Sequence, residues 1–263
     1  MSTIRALPTL LRVGVAETVA YRAEFLVWIL TTTLPLVMLG LWTSVADEAP
    51  FRGYSSQNFV AYYLATLIVR NLTGSWVAWQ ISEEIRLGTM SMRLLRPIHP
   101  FVAFSASHLA AIPFRGVVAL PIALGLLVSS GSSALTTNPL QIAALVPSLA
   151  LAWLITFAFL FAIGALAFFV TQTMAIANLY FALFSLFSGY LMPLELLGPV
   201  ANIARWLPFR FMLSAPVELM TRSLDGAALA NLMSGQLAWT AILLAGALGL
   251  WRAGVRHFEA VGG

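Results

Sequence analysis

The sequence predicts an all-α integral membrane protein in which six transmembrane helices form a single domain over residues 1–263. The first observation is composition: 60% of the residues are hydrophobic and only 9% are charged, whereas soluble domains carry about 25% charged residues. A soluble chain of this size could not hide so much apolar surface, so the excess must face lipid. The second observation is that most charges lie between long apolar stretches.

Six apolar stretches are candidate membrane spans. At about 1.5 Å per residue, a helix of about 20 residues crosses a hydrocarbon layer of about 30 Å. The fourth stretch is longer than one crossing needs, which predicts a tilt or an extension beyond the bilayer. An even number of spans places both termini on one side. The spans are predicted at Phe25–Val45, Phe59–Gln80, within Phe101–Val128, within Leu140–Val170, at Ala175–Leu191 and at Leu237–Trp251.

Arginine placement predicts the orientation of these spans. All 14 basic residues are arginines, and eight of them fall in the N-terminal arm, the loop between spans two and three, and the C-terminal tail. Four fall on the opposite side. Because loops rich in Arg and Lys stay in the cytoplasm, both termini are predicted to be cytoplasmic. Topology then accounts for the net charge of +4, and no nucleic-acid partner is expected.

The N-terminal arm, residues 1–22, is predicted to form a helix that lies in the inner membrane interface. Ile4, Leu7, Leu11 and Val15 recur at helical spacing, with polar and charged residues on the opposite face. The alternative is a frayed, partly helical tail.

The segment 192–225, before the last span, is apolar but rich in proline. Pro193, Pro199, Pro208 and Pro216 recur every six to nine residues and rule out a continuous helix. Two interpretations stay open: short re-entrant helices that dip into the outer leaflet, or an ordinary amphipathic outer loop. Irregular backbone within a membrane must be covered by protein or line a cavity.

Several motifs of enzymes and metal proteins are missing from the sequence. The chain has no cysteine, which excludes disulfides and thiolate metal sites, and no lysine, which excludes a P-loop. Its three histidines do not match the HExxH pattern, and no GxSxG motif is present. The sequence therefore predicts no catalytic residue, no metal site and no enzymatic activity.

The segment 82–97 is a charged segment between the second and third apolar stretches. It is predicted to form one helix on the cytoplasmic surface. Ser82 is an acceptable N-cap, and Glu83 and Glu84 then fall in the first turn, where negative charge is favoured. Gly88 is unfavourable inside a helix, and Pro97 ends it. The segment either touches a soluble partner or simply joins two spans.

Two short runs in this segment carry a family resemblance. Ile85–Thr89 (IRLGT) followed by Leu94–Pro97 (LLRP) resembles the cytoplasmic gate segment of type-2 ABC transporter permeases. The closest likeness is to bacterial six-span exporter permeases related to daunorubicin-type exporters. The likeness extends over nearly the whole chain, because the N-terminal arm, the six spans and the proline-broken outer segment occur in the same order.

The resemblance implies an arrangement of partners. It implies a permease in the bacterial cytoplasmic membrane that pairs with a second permease, identical or related, within membrane lipid. It also implies two separate ABC ATPase subunits, which bind ATP and Mg while this chain binds no cofactor. The outer gate would include Pro193, Pro199 and Pro208. The ATPase-coupling residues would be Glu83, Glu84, Arg86, Gly88, Thr89, Leu94, Leu95, Arg96 and Pro97.

Polar residues inside the spans are candidates for the transport pathway. Arg70 and Asn71 lie in the second span, and Asn178 and Tyr180 lie in the fifth. A mid-bilayer arginine costs at least about 2.5 kcal/mol, so Arg70 should face protein or water. It either pairs structurally or contacts an anionic group of a substrate. Arg115, in a third span that begins near Ala110, is expected to snorkel to the inner interface.

Three classes of function fit the sequence. The first is the membrane subunit of an ATP-driven exporter. The second is an ion-coupled transporter, which would need buried carboxylates, and only Glu195 and Glu218 can lie at membrane depth. The third is a non-transport membrane assembly or immunity protein. The sequence identifies neither the substrate nor the choice between two identical and two different permeases.

Overall fold

A computed structural model describes residues 8–9, 11–16, 34–130 and 134–258. The regular structure of this part is helical, and its only β feature is an isolated bridge between Phe51 and Tyr54. The all-α prediction is therefore confirmed.

Twelve helices are labelled here in chain order. Two 3₁₀ segments, Leu166–Phe168 and Leu194–Val200, lie between them. The helices are α1 Leu34–Val45, α2 Ser56–Thr73, α3 Val77–Arg86, α4 Met90–Leu94, α5 Pro100–Ala110, α6 Ile112–Ser130, α7 Pro139–Ala165, α8 Thr173–Phe187, α9 Ala201–Ala204, α10 Pro208–Met212, α11 Ser214–Thr221 and α12 Gly226–His257.

Two helices in the described part are long and apolar enough to cross a membrane. They are Pro139–Phe168, with 30 residues, and Gly226–His257, with 32. The first is mostly buried by its neighbours, whereas only 22% of the most apolar window of the second is buried. Helix α7 is thus the centre of the molecule, and α12 leaves much of its surface open.

The core is aromatic and is organised by α7. Trp153, Phe157 and Phe161 follow one another at intervals of four residues, so their rings share one face. The ring of Phe101 from α5 lies 5.0 Å from Phe161, and Trp251 from α12 lies 4.9 Å from the same ring. These contacts join α5 and α12 to α7.

The predicted second and third spans are both interrupted. Helix α2 ends at Thr73, and α3 begins at Val77, so three residues of irregular backbone divide the span predicted at Phe59–Gln80. In the third span, α5 ends at Ala110 and α6 begins at Ile112.

The remaining spans differ mainly at their ends. The predicted first span is described only from Leu34 onward, as α1. Helix α12 begins at Gly226, before the predicted start of the span at Leu237. Asp225 caps the helix by accepting a hydrogen bond from Ala228 N at 2.7 Å.

Part of the N-terminal arm lies within the described residues. Residues 11–16 are helical and pack closely against α5, since a Cβ on Gly14 would lie 2.9 Å from Ser107 Cα. Arg12 is exposed. The rest of the predicted interfacial helix 1–22, apart from residues 8–9, lies outside the described residues.

Candidate functional site

The charged segment 82–97 forms a helix, a turn and a second short helix. The predicted start at Ser82 is wrong: α3 begins at Val77, and Ser82 Oγ donates to Ala78 O at 2.7 Å from within it. Gly88 has a φ of 73°, a left-handed conformation that glycine adopts without strain. The single predicted helix is therefore divided at Gly88, and α4 begins at Met90.

An ion pair closes this turn from inside. Arg93 Nε donates to Glu84 Oε2 at 2.6 Å, and Arg93 Nη2 pairs with the other carboxylate oxygen. The Arg93 guanidinium also lies 4.1 Å from the centre of the Phe104 ring, and Met90 is fully buried. This bidentate, half-buried geometry is the strong form of the interaction. Glu84 therefore holds the shape of the turn through its pair with Arg93.

The outer face of the turn combines charge with exposed apolar side chains. Glu83 and Arg86 are exposed and 3.8 Å apart. Leu87, Met92 and Leu95 are 63%, 67% and 80% exposed. We call these five residues the coupling surface, after the role that the family resemblance implies for this segment. Exposed apolar side chains beside charges are typical of a docking site.

The other predicted coupling residues divide between the two faces. Thr89 is exposed, and its hydroxyl donates to Glu84 O at 3.3 Å. Leu94 packs against the core, whereas Arg96 and Pro97 are exposed.

A buried polar cluster holds the break between α2 and α3. Arg115 is 1% exposed, and its guanidinium donates to Gly74 O and, at 2.8 Å, to His108 O. The expectation that Arg115 snorkels is wrong, because the two carbonyls satisfy it inside the protein. We call Gly74, Ser75, Gln80, His108 and Arg115 the inner junction.

His108 completes the inner junction with two further hydrogen bonds. Gln80 Oε1 lies 2.8 Å from His108 Nε2, and because an amide oxygen only accepts, Nε2 carries the proton. His108 Nδ1 therefore accepts from Ser75 Oγ at 3.2 Å. The ring of Trp76 covers the cluster, 4.4 Å from His108 and 5.2 Å from Arg115. The inner junction thus joins α2, α3, α5 and α6.

The inner junction was not predicted from the sequence. Its members are separated by up to 41 residues, and their partners include backbone carbonyls, which leave no pattern. One signal was present: the polar run Asn71–Ser75 (NLTGS) interrupts an otherwise apolar stretch.

The four predicted pathway residues do not form one site. Arg70 lies 5.0 Å from the ring of Phe184, and Tyr180 lies 5.9 Å from the same ring, so these two come together. Asn71 Nδ2 donates to Leu67 O within its own helix, at 2.9 Å. Asn178 is exposed on α8.

Arg70 meets aromatic rings rather than a carboxylate. Its guanidinium lies over Phe184 and, at 5.9 Å, over Tyr190. The ion pairs within the described part of the chain do not include Arg70, and its Nε has no hydrogen-bond partner there. Cation–π contact partly compensates for the desolvated charge.

The outer segment consists of short helices that begin at or near prolines. Pro193 precedes the 3₁₀ segment, Pro199 lies inside it after Gly198 at φ 62°, and Pro208 is the first residue of α10. Hydrogen bonds tie its start to α1 and α2: Trp42 Nε1 and Tyr63 Oη both donate to Leu191 O, at 3.1 and 2.8 Å.

Two arginine–carboxylate pairs hold the outer segment. Arg210 Nη2 lies 2.8 Å from Glu218 Oε2, and Arg210 Nε donates to the other oxygen at 3.0 Å. Ser214 Oγ also donates to Glu218, at 3.0 Å. Glu218 is 4% exposed, and the hydrogen bonds from Arg210 and Ser214 compensate for its burial.

The second pair includes a tyrosine. Arg222 Nη2 lies 2.7 Å from Glu195 Oε2 and donates to Tyr54 Oη at 3.0 Å, while Tyr54 Oη donates to Glu195 at 3.1 Å. Burial and the nearby Glu195 raise the pKa of Tyr54 to about 12. Both glutamates that an ion-coupled transporter would use are thus engaged by arginine.

Comparison with known proteins identifies a family. A family model described as ABC-2 family transporter protein matches residues 24–262, which is nearly the whole chain. A search of curated proteins found no match. In the described part of the chain, no group of His, Cys, Asp and Glu is arranged to hold a metal ion.

Proposed function

This chain belongs to the ABC-2 family of transporter proteins, and on that premise we propose that it is the permease subunit of an ATP-driven exporter. Members of this family are membrane proteins without an ATPase domain, and they generally work with separate ABC ATPases. The finer proposal has two copies of the permease, or this chain and a related one, forming the pathway in a bacterial cytoplasmic membrane. In this proposal the chain has six spans with both termini in the cytoplasm, and two ATPase subunits that bind ATP and Mg dock beneath.

The coupling surface is the observation that carries this proposal. Leu87, Met92 and Leu95 are exposed on one small turn, although apolar side chains at a water-facing end have no lipid to contact. Glu83 and Arg86 flank them and provide charges for orienting a partner. The segment is also held in shape by the internal Glu84–Arg93 pair, as a docking element must be.

The inner junction connects the coupling surface to the helices of the membrane domain, so that movement of one can be transmitted to the other. A push on the coupling surface acts on α3, which packs against α7 so closely that a Cβ on Gly164 would lie 2.9 Å from Ile81 Cβ. The irregular backbone at Gly74–Trp76 lets α3 move as a unit separate from α2. Arg115 then transmits that movement to α5 and α6 through its two carbonyl contacts.

The pathway is proposed to lie between two permease copies. Helix α8 presents Asn178, Leu179 and Phe181 outward, which is the mixed surface expected of a helix that faces a partner subunit and a cargo. Arg70 and Tyr180 lie behind this face, and the short helices around Pro193, Pro199 and Pro208 would close the outer end.

The ion pairs disfavour an ion-coupled transporter. Proton coupling needs a carboxylate that gains and loses a proton at membrane depth. The described candidates, Glu195 and Glu218, each lie within 3 Å of an arginine nitrogen, so both carboxylates already have a structural partner.

Co-purification with a matched pair of charge reversals tests the proposal. The full chain is isolated in mild detergent, and bound proteins are identified by mass spectrometry. We expect an ABC ATPase to co-purify with the unchanged chain and to be lost from E83K. We expect D47K, which reverses an exposed charge in the loop before α2, to retain it.

An unchanged yield of ATPase with E83K would contradict the role of Glu83 in docking. The proposal itself would be overturned by transport by the purified chain alone in liposomes, driven by an ion gradient and insensitive to ATP, which favours the ion-coupled class.

A further inference from the structure

A second polar feature lies beside the coupling surface. A cleft of about 530 Å³ opens between the loop that joins α4 to α5 and the end of α12. The loop provides Arg96, Pro97 and His99, and α12 provides Trp251, Arg252 and Arg256. We call this the basic cleft.

The basic cleft brings three arginines together. Arg252 and Arg256 are four residues apart and therefore share one face of α12, where like charges repel. Arg96 faces them from the loop. None of the described residues lining the cleft is acidic, and these three arginines take part in none of the ion pairs of the described segments.

His99 adds a hydrogen-bond donor to this charge. Its Nδ1 accepts from Phe101 N at 3.1 Å, so the proton of the neutral ring is on Nε2. Burial and the nearby Arg252 lower the pKa of His99. An anion in the cleft would therefore meet guanidinium groups and one imidazole N–H.

The apolar side of the cleft is formed by α12. Trp251 is 3% exposed and is anchored between the rings of Phe161 and Phe168, at 4.9 and 5.2 Å. These contacts hold this end of α12 against the core and fix the position of Arg252 and Arg256. On the N-terminal side of Arg252, Ala245 and Gly249 are exposed on the same face of α12. Their small side chains leave an apolar strip there.

We propose that the basic cleft binds the phosphate headgroup of an anionic phospholipid, with the acyl chains lying along the Ala245–Gly249 face of α12. The guanidinium groups match the phosphate charge, and the apolar strip begins where a headgroup ends. A soluble anion would match the first feature and leave the second without a role. The lipid would join the exit of the coupling segment, at Arg96, to the last helix.

Native mass spectrometry of the full chain tests this site. The chain is titrated with phosphatidylglycerol and, separately, with phosphatidylcholine. We expect phosphatidylglycerol to bind more tightly, and we expect its affinity to fall about 5-fold in R252Q and again about 5-fold in R252Q/R256Q. The matched control is R205Q, which removes an exposed arginine of the outer segment and should leave the affinity unchanged.

Two further experiments test whether the effect depends on the charge of the arginines and whether the ligand must carry acyl chains. R252K/R256K keeps the charge and should retain the preference for phosphatidylglycerol, which distinguishes binding from misfolding. Inorganic phosphate should compete poorly, since it lacks the acyl chains.

Three results would overturn the lipid site. Equal binding of both lipids removes the role of charge, and full competition by inorganic phosphate identifies a site for a soluble anion. Loss of the ATPase from R252Q/R256Q, with lipid affinity unchanged, identifies a protein-docking surface. Because the binding assay contains no ATPase, the lipid site can fail while the proposed function stands.

Discussion

The inner junction and the outer segment both enclose arginine, but they satisfy it in different ways. At the inner junction, Arg115 donates to the carbonyls of Gly74 and His108. In the outer segment, Arg210 and Arg222 pair with Glu218 and Glu195. One region holds a cation with neutral backbone, and the other holds it with opposite charge.

This difference separates a mechanical connection from an electrostatic one. Backbone carbonyls can receive Arg115 because α2 has ended before Gly74 and α5 ends just after His108, so its bonds depend on the shape of these two helix ends. The carboxylate pairs of the outer segment depend on charge, and they respond to the loss of either partner. We therefore expect the two regions to differ in their sensitivity to substitution and to pH.

The largest expected effect is at the inner junction. R115Q removes a guanidinium that serves two buried carbonyls, and leaving them unsatisfied should cost about 3 kcal/mol in the free energy of unfolding. R115K keeps the charge but not the fork of donors, so it should recover less than half of that loss. Thermal unfolding of the purified chain in detergent measures both. If R115K matches the unchanged chain, charge rather than geometry holds the junction.

A smaller effect is expected at the buried pair of the outer segment. E218Q leaves Arg210 without its counter-charge and should lower the free energy of unfolding by about 2 kcal/mol. The double variant R210Q/E218Q removes both charges and should be more stable than E218Q alone. The same unfolding assay serves, with R205Q as the control. A double variant less stable than E218Q would contradict the pairing.

The smallest effect concerns alkaline pH. Burial and Glu195 raise the pKa of Tyr54 from 10.0 to about 12, so the folded chain keeps this proton when the unfolded chain has lost it. The stabilisation is therefore complete below about pH 10 and is lost as the pH rises through about 12. We expect Y54F to flatten the alkaline fall in unfolding temperature. An equally steep fall in Y54F would assign it to another group.

Local patterns predicted much of the helical framework. Helix α7 lies where an apolar run follows Asn138 and Pro139, and Asn138 caps it by accepting from Leu140 N at 2.9 Å. The prolines of the outer segment divide it into short helices, because proline removes a backbone donor and is best tolerated at a helix start.

Predictions that needed a distant partner fared less well. Glu84 was grouped with Glu83, but the turn at Gly88 brings Arg93 to Glu84 and leaves Glu83 exposed. Arg115 was expected at the membrane interface. Its burial could not be predicted, because its partners are two backbone carbonyls on other segments, and a carbonyl has no signature in residue type. The roles of the coupling and pathway residues stay predictions.

The sequence by itself determined that this is an all-helical chain with an excess of apolar surface, and it located the charged segment beside Gly88. Composition and spacing suffice for that, since they act over a few residues. Only the tertiary structure decided which charges face inward. A guanidinium such as that of Arg115 is stable in the interior only where distant segments bring acceptors to it, and that arrangement exists only after the helices have packed.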